Sequence, residues 1–73
     1  MLSNGTKVKI VRGMDAGGRG KIEDGFDYVK GHLLSQPLYI IRLDVPNETG
    51  SSLTTAIHDE VEVIGREDAR AEA

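Results

Sequence analysis

The 73-residue chain contains no cysteine and no tryptophan. Without thiols there are no disulfide staples and no cysteine-ligated zinc site. One Phe and two Tyr are its only aromatic residues, which leaves few flat side chains for stacking on nucleobases. No apolar run approaches the ~20 residues of a membrane-spanning helix. The opening Met1-Leu2-Ser3-Asn4 lacks the basic and apolar stretches of a secretion signal. These absences set the expectation of a soluble, cytoplasmic protein without membrane contact. A chain this short buries only ~60% of the surface its unfolded form exposes. A compact β core or self-association therefore has to supply stability.

Positive charge is also in short supply. The formal net charge is −3, which speaks against a dedicated nucleic-acid binder. Its distribution is uneven. Residues 1–33 carry six cations against four carboxylates, whereas residues 34–73 carry three against eight. That asymmetry fits docking to a charged partner or head-to-tail association of copies, and leaves the oligomeric state open.

What is present reads as β structure. Lys7 to Arg12 alternates, with Val8 and Ile10 on one face and Lys7 and Lys9 on the other, the period of a half-buried strand. Gly13 to Gly20 holds four glycines in eight residues, a density that permits tight turns. Lys21-Ile22-Glu23 resumes the strand with Ile22 inward, and Asp24-Gly25 is a turn pair. Residues 26–37 read as a long, partly ordered excursion, interrupted by Gly31 and Pro37. Leu38 to Val45 alternates strongly, with Tyr39, Ile41, Leu43 and Val45 on one face. Pro46 to Gly50 is a turn-rich loop, Leu53 to Ile57 alternates as a return strand, and His58-Asp59-Glu60 predicts one helical turn. Val61 to Ile64 forms a last strand, ended by Gly65. The polar Ala/Glu/Arg-rich segment 66–73 reads as a disordered tail. The prediction is one all-β domain over 1–65: a small SH3-like barrel of about five antiparallel strands, with a short helical turn before the last.

The run Ile10-Val11-Arg12-Gly13, with Gly17, Gly20 and Ile22, resembles a KOW motif. That resemblance implies an SH3-like barrel that touches RNA or docks proteins, as in ribosomal proteins and transcription elongation factors. Gly5 to Arg12, Tyr39 to Asp44 and Ala56 to Val61 are similar to segments of the small peripheral photosystem I subunit. In that family basic residues help dock ferredoxin, and Lys7, Lys9 and Arg12 match them; the acidic second half departs from the pattern. Length and strand order also resemble the type II plasmid dihydrofolate reductases, which build one active site from four barrels. Their signature strand Val-Gln-Ile-Tyr is replaced here by Leu53-Thr54-Thr55-Ala56-Ile57.

The glycine cluster lacks the Gly-Lys-Ser/Thr and the following helix of a phosphate loop, so turn geometry explains it. His58, Asp59 and Glu60 are consecutive, and consecutive residues rarely converge on a metal; His32 is remote in sequence. No serine or threonine has a base at a recognisable spacing. The expectation is a non-enzyme with no cofactor and no metal. The residues left are Lys7, Lys9, Arg12, Arg19, Lys21 and Lys30 as a basic set, and Phe26, Tyr28 and His32 in the excursion. They point to an adaptor that binds a protein partner. The alternative is KOW-type contact with RNA through the lysine face, and a further alternative is an oligomeric barrel enzyme.

Overall fold

The computed structural model describes residues 1–66. Strands β1 Thr6–Ile10, β2 Arg19–Val29, β3 His32–Leu43, β4 Leu53–Ile57 and β5 Val61–Arg66 are joined by turns, with one 3₁₀ turn, η1, over His58–Glu60. All pairings are antiparallel, in one sheet of order β4-β3-β2-β1-β5. The all-β fold and the helical turn before the last strand are therefore as expected. The last strand runs past its expected end at Gly65 to include Arg66; the rest of the segment read as a tail, residues 67–73, lies outside the described residues.

The core occupies one face of the sheet. Val8, Ile10, Ile22, Tyr39, Ile41, Leu43 and Ala56 are buried there, and Leu2 and Val61 pack against them. Burying each large apolar side chain contributes ~1.5–3 kcal/mol. With so few members, each one matters. Tyr39 brings a polar group into this core and satisfies it. Its hydroxyl accepts the Leu2 N–H at 2.9 Å and lies 2.7 Å from His58 Nδ1.

Two local features fix the path of the chain around the core. Gly20 faces inward where β2 crosses β3, and a Cβ there would lie 2.2 Å from the Arg42 carbonyl oxygen. The strands can approach this closely only because the residue is glycine. Two residues on, the register slips: Ile22 opposes Ile41 but Asp24 opposes Ile40, which leaves Glu23 as a bulge. Such a bulge bends and twists its strand.

The structure corrects the excursion. Residues 26–37 form the outer half of a long hairpin between β2 and β3. Its two-residue turn, Lys30-Gly31, has φ of 53° and 82°, the paired positive values of a type I′ turn. Pro37 lies within β3, where pairing jumps from Phe26–Leu38 to Tyr28–Leu33. A proline lacks the ladder donor, so strands tolerate it at such an irregularity. Two other strand readings change. Val45 lies beyond the end of β3 and is exposed, and on β4 the buried residue is Ala56, with Leu53 exposed.

Candidate interaction surface

Opposite the core, register places the early cations side by side. Lys7 opposes Lys21, Lys9 opposes Arg19, and Lys21 opposes Arg42 on its other side. All five alternate with the buried Val8, Gly20, Ile22, Ile41 and Leu43, so they share the outer face. Like charges directly opposite each other destabilise a sheet. Two carboxylates temper the group: Glu62 opposes Lys9, and Glu23 takes the Arg42 Nε–H at 2.8 Å. That hydrogen bond, then the Arg42 charge, with a smaller pull from Lys21, hold the Glu23 carboxyl below its usual range; the same hydrogen bond and the Glu23 charge raise the Arg42 guanidinium.

The same face turns apolar toward β4. Phe26, Leu38 and Ile57 form one cross-strand row over β2, β3 and β4. Beyond it the hairpin continues as an arm with little cover. Tyr28 opposes Leu33 and Val29 opposes His32. Tyr28 is 58% exposed and Leu33 67%. The residues expected to bind thus fall into two groups, the cations Lys7, Lys9, Arg19 and Lys21 and the arm residues Phe26, Tyr28, Lys30 and His32. Arg42 joins the first group. Its outward alternation between Ile41 and Leu43 was the available signal.

Arg12 belongs to neither group. Its guanidinium pairs with Asp59 Oδ1 at 3.2 Å and also donates to the Asp59 carbonyl, which ties the glycine-rich loop to η1. That loop is a structural turn. Its Ala16, Gly17 and Gly18 amides donate to the Gly13, Ile10 and Asp15 carbonyls. Gly13 has a φ of +98°, and a Cβ there would meet the Glu60 carboxylate at 2.8 Å.

The β4 edge of the sheet is partly closed by side chains. In the β3–β4 register the backbone groups of Leu53, Thr55 and Ile57 point away from β3. The Ser51 hydroxyl donates to the Leu53 carbonyl at 2.8 Å and accepts the Leu53 N–H at 3.2 Å. Glu60 Oε1 accepts the Ile57 N–H at 3.1 Å. Only the central residue of this edge keeps both groups for a visiting strand.

Among the described residues no three His, Asp or Glu side chains converge as a metal site. No helix of the described residues is long and apolar enough to cross a membrane. Comparison of the chain with protein-family models, curated proteins and solved structures finds no match.

Proposed function

We propose that this chain is a non-catalytic interaction module, an SH3-like barrel that docks a protein partner across its outer face. The strand order β4-β3-β2-β1-β5 and the lone 3₁₀ turn before β5 support the barrel reading. The observation that carries the functional reading is that two surfaces share one face: the basic group on β1–β3 and, beyond the intervening Asp24–Ile40–Thr55 row, the apolar Phe26–Leu38–Ile57 row and the arm bearing Tyr28 and Leu33. A partner with carboxylates beside apolar side chains complements both. An RNA backbone would use the cations and leave the apolar row and arm idle, so the register favours a protein over RNA.

Photo-crosslinking from position 28 of the full chain, followed by mass spectrometry, tests this. The expected result is capture of an acidic protein, lost in Lys9→Glu/Arg19→Glu and also in Tyr28→Ala/Leu33→Ala. A labelled mixed-sequence RNA titrated at rising salt is the competing measurement. RNA affinity that falls steeply with salt, and that ignores the Tyr28 and Leu33 changes, overturns the protein reading in favour of RNA.

A further inference from the structure

A second surface lies at the opposite end of β3 from the arm. There the glycine-rich loop and the β3–β4 loop face each other across an open cleft of about 610 Å³. Clefts of ~300–1,000 Å³ are the usual size for ligand recognition. Leu43 lines it at the edge of the core, and Met14, Val45 and Pro46 bring more apolar surface. Met14 is 98% exposed and Val45 75%. Neither contributes appreciably to the core, and a flexible thioether suits an adaptable contact.

Both walls are fixed before anything binds. The first is pinned by Ile10 N–H to the Gly18 carbonyl at 2.8 Å and Gly17 N–H to the Ile10 carbonyl at 2.7 Å. The second is organised by Asn47 Oδ1, which accepts the Thr49 N–H, the Thr49 hydroxyl and the Ser51 N–H. Asp15 then joins the walls: its carboxylate accepts from Asn47 Nδ2 at 3.4 Å and from the Thr54 hydroxyl. Walls held in this way lose little entropy on binding. The charged residues lining the cleft, Asp15 and Glu48, are both acidic. That rim mismatches the chain's own acidic C-terminal sequence Glu67–Ala73 and complements a cation.

We infer that this cleft docks a short peptide segment in which an apolar side chain stands beside Lys or Arg. The apolar side chain enters between Met14 and Val45 over Leu43, and the cation meets Asp15 and Glu48. The ligand is opposite in charge to the partner proposed for the outer face, so the two sites are separable.

Panning a random linear peptide library, displayed on phage, against the immobilised full chain tests the inference. Enriched sequences are then synthesised and titrated into ¹⁵N-labelled protein. The expected consensus is an apolar residue adjacent to Lys or Arg, with amide shifts centred on Met14, Ala16, Val45 and Thr49. Met14→Ser/Val45→Ser and Glu48→Lys each weaken binding about tenfold, while Lys9→Glu/Arg19→Glu leaves it unchanged. Amide spectra of the variants confirm that they remain folded, as the exposure of these side chains predicts. An acidic consensus, shifts on the β1–β2 lysines, indifference to the Met14, Val45 and Glu48 changes, or no enrichment over a blank surface each overturns it.

Discussion

Tyr39→Phe is the most direct probe of how this small core holds its polar group. The ring is fully buried and keeps its packing in Phe, so no cavity opens. What disappears is the oxygen that serves the Leu2 amide at 2.9 Å and His58 Nδ1 at 2.7 Å. The Leu2 N–H donates to that oxygen, and a second hydrogen bond joins the hydroxyl to His58 Nδ1, its direction set by the imidazole tautomer. A neutral hydrogen bond contributes ~0.5–1.5 kcal/mol, and a donor left buried without a partner costs ~1–3 kcal/mol. Leu2 is half-buried, whereas His58 is exposed and water replaces its partner. The loss is therefore ~1.5–2.5 kcal/mol, most of it at Leu2. For a domain of this size the melting temperature falls by roughly 6–20 °C. Urea melts followed by far-ultraviolet circular dichroism measure the first quantity and thermal melts the second. Amide exchange locates the loss: in Tyr39→Phe the Leu2 N–H exchanges faster while the Ile22 and Ile41 amides keep their order. A double-mutant cycle with His58→Ala isolates the smaller half. Stability within ~0.3 kcal/mol of the parent, with Leu2 still protected, refutes this account of the hydroxyl.

Three further outcomes follow from the same geometry. Gly20→Ala places a Cβ 2.2 Å from the Arg42 carbonyl oxygen and 3.0 Å from Ile41 Cγ2, and because the first obstacle is backbone it costs more than ~3 kcal/mol in a urea melt. Lys7→Glu turns the Lys7–Lys21 like-charge pair into an attractive one. It gains ~0.2–1 kcal/mol at low salt, and the gain disappears in 1 M salt, where the screening length is ~3 Å. Glu23→Gln acts on pH dependence. The native carboxyl titrates below its unfolded value of ~4.3, so its contribution is complete above that pH and is lost as pH falls through the lower native value. Urea midpoints measured against pH should decline more steeply over that acid range in the parent than in the variant, and equal slopes refute the role given to Arg42.

The parts legible in the sequence are those where a local period meets a local requirement. Val8, Ile10 and Ile22 are inward because a strand alternates, and the Gly13–Gly20 loop turns because glycine permits it. Tyr39, Ile41 and Leu43 follow the same rule. The alternation ran on to Val45 in the sequence, but the strand ends at Leu43 and the chain turns into the loop organised by Asn47. On β4 the apolar residues Leu53 and Ile57 suggested the buried face, yet Ala56 occupies it. Ala56 opposes Tyr39, and a large ring on one strand leaves room for a methyl on the next. That size match is visible only once the strands are paired. Gly31 and Pro37 suggested breaks for the same reason: a turn and a register slip look like disorder until the partner strand is known. Within the candidate surface, lysine opposite lysine could be suspected, whereas the removal of Arg12 from the group depends on Asp59, 47 residues away.

The way the sheet treats its β4 edge bears on which mode of docking the proposed function can use. Strand addition needs a row of open amides and carbonyls. On β4, Ser51 closes both groups of Leu53 and Glu60 closes the amide of Ile57. What remains at Thr55 is too short for a ladder, although Leu53–Ile57 contains no charge or proline to discourage one. The protection comes from flanking residues, so β4 keeps an uncharged sequence with both outward groups of Leu53 and the amide of Ile57 already bonded. By contrast, the Lys7–Lys21 and Lys9–Arg19 pairs keep like charges opposed on the outer face, tempered by Glu62 opposite Lys9 and by Glu23 beside Arg42. A domain with so thin a core gains nothing for its own stability from that arrangement. With the β4 backbone edge guarded in this way, the docking mode proposed above uses the side chains of the sheet face, and strand pairing at β4 has little open backbone to offer.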